Sequence, residues 1–154
     1  MVPIIAFEDS NMSDEDGVLP RFRCIVSTLI VDNNPIEREH AAALCRELGI
    51  VTVHVASNAC EALSLLAALN PPPDFLILDL EMLPTMDGTQ LLEQLQKHSI
   101  TMPVIVVSAR DRALIDFVGE MAGVLGLDVI GVLQKPLTVG VLRQSLRRFG
   151  ATAE

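Results

Sequence analysis

Five short apolar runs alternate with five amphipathic stretches along this chain. The runs are STLIVD (27–32), VTVHVA (51–56), DFLILD (74–79), PVIVVS (103–108) and VIGVL (129–133). Their richness in Val, Ile and Leu predicts β-strands, and three of them are continuously apolar, as strands covered by helices on both faces should be. Between them, IEREHAAALCRELG sets Ala43, Leu44 and Leu48 on one helical face and stops at Gly49. NACEALSLLAALN opens on Asn58, a good N-cap, and ends before prolines that cannot continue a helix. GTQLLEQLQKH, RALIDFVGEMAGVLG and TVGVLRQSLRRFG supply the other helices. Strict β-α alternation implies right-handed crossovers, and so an α/β fold: a doubly wound parallel sheet of five strands. In such a sheet ligands sit beyond the carboxyl ends of the strands, so chemistry is expected at the last residue of each.

Composition changes the picture at the two ends. Residues 1–26, with EDSNMSDEDG in their middle, carry too little apolar surface to offset the entropy of ordering, so an acidic, flexible arm is expected there. The folded domain is expected at 27–150, with 151–154 as a tail. Half of the 154 residues are apolar, enough for one sizeable core. A net charge of −9 argues against general binding to nucleic acid. The cationic cluster Arg143, Arg147 and Arg148 lies near the C-terminus, where cations favour a helix end. Cys24, Cys45 and Cys60 are odd in number and lack CxxC spacing, which suggests neither zinc nor disulfides and fits a reducing cytoplasm. No apolar run approaches the roughly 18 residues of a membrane span, and MVPIIAF lacks the basic start of a signal peptide.

The strand ends collect the candidate chemistry. Asp32 and Asn33 follow the first strand, Asp79 the third and Ser108 the fourth, while Lys135 stands just beyond the fifth. Oxygen ligands of this kind suit a hard, octahedral cation such as Mg2+, while a hydroxyl and an ammonium suit a phosphoryl group beside it. Singly, each residue has a plainer reading. A strand-terminal Asp such as Asp32 is an N-cap more often than a ligand, Lys135 before Pro136 reads as a solvated loop residue, and Ser108 as a helix start. Their joint occurrence favours the site. Pro35 suits the first helical position, which makes Asn34 the better N-cap and leaves Asp32 free to face a metal.

Together, LIVDNNP, LILDLEMLPTMDG, VIVVSAR and VLQKPL resemble the receiver domains of two-component response regulators, and the likeness covers residues 27–149. The resemblance implies a flavodoxin-like sheet of order 2-1-3-4-5. It makes Asp79 the phosphoacceptor, charged by a sensor histidine kinase, a phosphotransfer protein or a small phosphodonor. Mg2+ would be held by Asp32, Asn33, Asp79 and the main-chain carbonyl of Glu81. Ser108 matches the switch hydroxyl and Lys135 the lysine that pairs with the phosphoryl group, with a cis peptide bond to Pro136. Output would pass through the fourth helix, fifth strand and fifth helix to an effector domain or partner, a homodimer included. Such a domain turns over nothing beyond its own phosphorylation and dephosphorylation.

Four departures from the family pattern bear on this reading. Asn33 stands where most receivers have a second acid, which should weaken Mg2+ binding without abolishing it. DLEMLPTMDG is one residue longer than usual between Asp79 and Gly88. Val132 replaces the aromatic that normally moves with the switch hydroxyl. The long interval from Ser108 to Lys135 is similar to that of receivers preceding EAL-type cyclic-di-GMP phosphodiesterase domains. Within it, Leu114, Val118, Met121, Val124 and Leu125 recur at helical spacing, as core or as a partner surface. Met82, Met86 and Met102 read as core fillers. The departures keep open a degenerate receiver that acts as a phosphorylation-independent interaction module. A small-molecule enzyme on the same fold is the weaker alternative, because the turn after the first strand has no glycine-rich phosphate loop and the chain has no Trp or Tyr to flank a flavin.

Overall fold

The computed structural model describes residues 5–6, 24–80, 88–98, 100–109, 116, 120, 123, 126 and 128–152. Two-residue strands β1 (Ile5–Ala6) and β2 (Cys24–Ile25) pair antiparallel. The main sheet follows, from β3 (Ser27–Val31), β4 (Thr52–Ala56), β5 (Phe75–Asp79), β6 (Val104–Ser108) and β7 (Val129–Gln134). All its pairings are parallel and the order is β4-β3-β5-β6-β7, the 2-1-3-4-5 order expected. β5 and β6 are buried at every residue, which is why their sequences run apolar without alternation.

The described helices are α1 (Pro35–Glu47), α2 (Ala59–Ala68), α3 (Gly88–Lys97) and α4 (Val139–Thr152). Asn34 caps α1, its side chain accepting the N–H groups of Ile36 and Glu37, and Pro35 takes the first helical position. Gly49, at φ 96°, turns the chain out of α1 in the left-handed region. α1 and α4 cover one face of the sheet over a cluster that includes Ile30, Phe75, Ile77, Ile105 and Val107. α2 and α3 cover the other over Leu29, Val31, Leu76, Leu78 and Val106, with Met102 packed among them as a filler. The two clusters split neighbouring residues of each strand between them, as the period of two dictates.

The elements run past both boundaries drawn from composition. Ile25 is buried in the core, two residues ahead of position 27, and α4 extends to Thr152. That extension corrects the reading of Arg143, Arg147 and Arg148, because the last turn of α4 holds no basic residue. Gly131 lets α4 lie close on β7: a Cβ there would stand 2.7 Å from the Ser145 hydroxyl. The stripe of Leu114, Val118, Met121, Val124 and Leu125 lies outside the described residues, as do Met82 and Met86. No helix among the described residues is long and apolar enough to cross a membrane.

Candidate functional site

The acids of the site continue the rows of core side chains. On β3 the α1 and α4 face receives Ile30, and two residues on the same row reaches Asp32; on β5 Phe75 and Ile77 lead in the same way to Asp79. Backbone ladders carry on past the strands and hold their ends at one edge. Asp32 N–H donates to Ala56 O at 3.1 Å, Leu80 N–H to Val107 O at 3.0 Å, and Lys135 N–H to Ser108 O at 2.8 Å. Asp32, Asp79 and Ser108 are thereby buried at the carboxyl edge, with 3%, 2% and 0% of their surface exposed.

Asp32 has a different role for each oxygen. Its Oδ1 accepts the N–H of Asn34 at 2.9 Å, closing the turn into α1, and its Oδ2 accepts the Lys135 ammonium at 3.0 Å. Arg38 Nη1 reaches back to the Asp32 carbonyl at 2.9 Å and fixes the same turn from the helix side. Lys135 Nζ also hydrogen-bonds Glu37 and lies 3.5 Å from Asp79 Oδ2. Burial works to lower the pKa of Lys135, but its hydrogen bonds to Glu37 and Asp32 and the charges of Asp79 and Asp32 outweigh that and raise it. It stays an ammonium at any physiological pH. Carboxylate oxygens from Asp32, Glu37 and Asp79 lie within 4.8 Å of one another, close enough to share a cation.

Beside this cluster a cavity of about 450 Å3 opens between α1 and the sheet. Ile30, Ile77, Val107 and Leu137 line it, and Asp32 and Lys135 form its polar end. His40 bonds the Leu137 carbonyl at 3.0 Å, tying α1 to the segment after β7, where the Lys135–Pro136 peptide is cis. Cys45, on the buried side of α1, has its thiol pushed up to about 12, chiefly by desolvation. It is an inert packing residue.

Of the residues chosen from the sequence, the structure brings Asp32, Asp79 and Lys135 into contact distance and sets Ser108 on the adjoining strand end, one residue past the Asp79–Val107 pair. Asn33 is exposed at the start of the turn, and Glu81 lies outside the described residues together with the longer loop after Asp79. Val132 pairs with Val106 and packs, half-buried, against the α2 and α3 cluster. The residue that sequence reasoning missed is Glu37. It reads as an ordinary acid of a first helical turn, and only the parallel placement of β7 beside β6 reveals that it meets Lys135.

Comparison with known proteins agrees with this arrangement. Residues 28–147 match the family model of the response regulator receiver domain. The chain is 31% identical over 125 residues to the positive alginate biosynthesis regulatory protein of Pseudomonas aeruginosa, covering 80% of this chain and 46% of that protein. It is 32% identical over 124 residues to response regulator MprA of a Mycobacterium species, covering 79% and 49%. It thus spans about half the length of these relatives, and a smaller share, 13%, of the Escherichia coli sensor histidine kinase RcsC, to which it is 30% identical. Among solved structures, a response regulator from Colwellia psychrerythraea superposes with a TM-score of 0.67 at 26% identity, covering 81% of this chain and 96% of that one. A CheY-like receiver domain protein from Methanospirillum hungatei gives 0.67 at 22%, with 81% and 93% covered. With the sheet order, the buried acids at its carboxyl edge and the family match in agreement, the chain belongs to the response regulator receiver domains of two-component signalling.

Proposed function

We propose that Asp79 is the phosphoacceptor of this receiver and that its phosphorylation switches a partner or effector domain. The observation that carries this is the convergence of Asp32, Asp79 and Lys135 at the carboxyl edge, two acids almost wholly buried around one ammonium. A carboxylate oxygen of Asp79 attacks the phosphorus of a histidine kinase, phosphotransfer protein or small phosphodonor. The oxygen–phosphorus bond forms as the bond to the donor breaks, and the bonding electrons leave with the donor. Lys135, already held at the site, offsets the charge on the transferred group, and the Ser108 hydroxyl offers it a hydrogen bond. The reaction is mostly positioning, which the strand ends supply.

The donor set fits Mg2+, since the clustered side chains offer hard oxygen atoms and no softer ligand. Asp32 and Asp79 would hold it with the side chain of Asn33 and the main-chain carbonyl of Glu81. When bound, the ion supplies neutralisation of the phosphoryl oxygens. Catalysis beyond the domain's own phosphorylation and dephosphorylation is not part of the proposal. The partners are a cytoplasmic kinase on one side and, on the other, a protein or effector domain contacted through the helix expected over 112–126, β7 and α4, with a homodimer as one form.

Incubation with acetyl phosphate and MgCl2 should add one phosphoryl group, about 80 daltons by intact mass. Asp79→Asn should abolish the gain. An unmodified wild-type chain that also ignores beryllofluoride would leave the interaction module as the function.

A further inference from the structure

We infer that Glu37 supplies the third acidic ligand of the cation site, from the first turn of α1 instead of the strand end. The inference rests on the receiver reading above and adds to it a residue that the family pattern does not place there. At the strand end this chain has an amide, Asn33, so among the described residues the strands contribute Asp32 and Asp79 to the acidic cluster. With Lys135 among them, two carboxylates would leave one net negative charge to meet a divalent cation. Glu37 changes that balance. Its carboxylate joins those of Asp32 and Asp79 within 4.8 Å, and three carboxylates against one ammonium leave two negative charges, matching one divalent ion.

Lys135 marks where a cation is favoured. Its ammonium touches Asp32, Glu37 and Asp79 at once, so the three acids converge on a position already occupied by positive charge. Glu37 is also the exposed member of the set. Its side chain is 46% exposed, against 4% for Asp32 and 3% for Asp79, so it can exchange the ammonium for a metal without disturbing the core. Asn34 holds its backbone, accepting the Glu37 N–H at 3.1 Å, while the carboxylate is left to reach across to the site. The loss of charge at Asn33 and its return at Glu37 are then one exchange, made five residues further along the chain than Asp32.

Calorimetric titration of the whole chain with MgCl2 tests this independently of phosphorylation. Glu37→Gln, which keeps the side chain's size, should weaken Mg2+ binding by about tenfold or more, since charge count tunes such sites strongly. Adding Asn33→Asp to Glu37→Gln should restore wild-type affinity. The loss must also persist in a Lys135→Met background, because a Glu37 that acts only as the partner of Lys135 would be silent there. The proposal is overturned if Glu37→Gln binds Mg2+ as the wild type does, if its effect vanishes with Lys135→Met, or if Asn33→Asp restores nothing. A wild-type chain that binds no Mg2+ is a different failure, and removes the receiver reading with it.

Discussion

The two faces of the sheet are made by the same strands and do different things. Under α2 and α3, Leu29, Val31, Leu76, Leu78 and Val106 form an apolar layer, and the β6 row of Val104 and Val106 runs on to Ser108. Under α1 and α4, the rows of Ile30, Phe75 and Ile77 run on into Asp32 and Asp79, a cavity opens beside them, and the Ser145 hydroxyl is buried with no hydrogen-bond partner among the described residues. The carboxylates thus gather on one face, beside the cavity, while the other face contributes the Ser108 hydroxyl from the end of its β6 row. Because neighbouring residues of one strand serve opposite faces, the site can be loosely packed while its strands remain anchored from behind.

Neighbouring substitutions on β5 should show the difference most strongly. Leu78→Ala, on the close-packed face, should lose about 4 kcal/mol, and Ile77→Ala, which already borders the cavity, about 2 to 3 kcal/mol, because its side chain has fewer partners to lose. Urea unfolding reads both, and equal losses would erase the contrast. Removing the ammonium tests the charged end of the same face. Lys135→Met should cost about 2 kcal/mol near neutral pH, since it strands buried carboxylates without a cation. The pKa of Lys135 is raised in the fold, so its contribution is complete below the ordinary value of 10.5 and is lost only as the pH climbs through the higher folded value. A wild-type advantage that faded between pH 7 and 9 would contradict this. The smallest effect should be a gain: Ser145→Ala removes the unpaired hydroxyl and should stabilise by about 1 kcal/mol, whereas Gly131→Ala, which drives a Cβ against that side chain, should destabilise.

Strand composition was enough to reveal the sheet, because strands covered on both faces run apolar without alternation, as β5 and β6 do up to Asp79 and Ser108 at their ends. The carboxyl-edge rule then singled out Asp32, Asp79, Ser108 and Lys135 without any distance being known. Glu37 escaped it because the rule speaks only of strand ends, and what brings Glu37 to the site is the crossover that lays α1 beside the segment after β7. Ser145 escaped for a similar reason: a serine within a helical pattern reads as solvent-facing until Gly131 is known to lie under it. The helix boundary at Thr152 was misread from composition, since small residues such as Gly150 and Ala151 weaken a helical signal without ending the helix.

The divided carboxylate of Asp32 carries a consequence for which ion the pocket accepts. With Oδ1 accepting the Asn34 N–H, Oδ2 is the oxygen that meets the Lys135 ammonium, so a metal bound in the cluster would meet Asp32 first through Oδ2. Calcium is commonly seized by carboxylates with both oxygens at once, in shells of up to about eight ligands, whereas magnesium keeps six around it and tolerates little else. A backbone turn, made to start a helix, would then also bias the pocket toward the smaller ion.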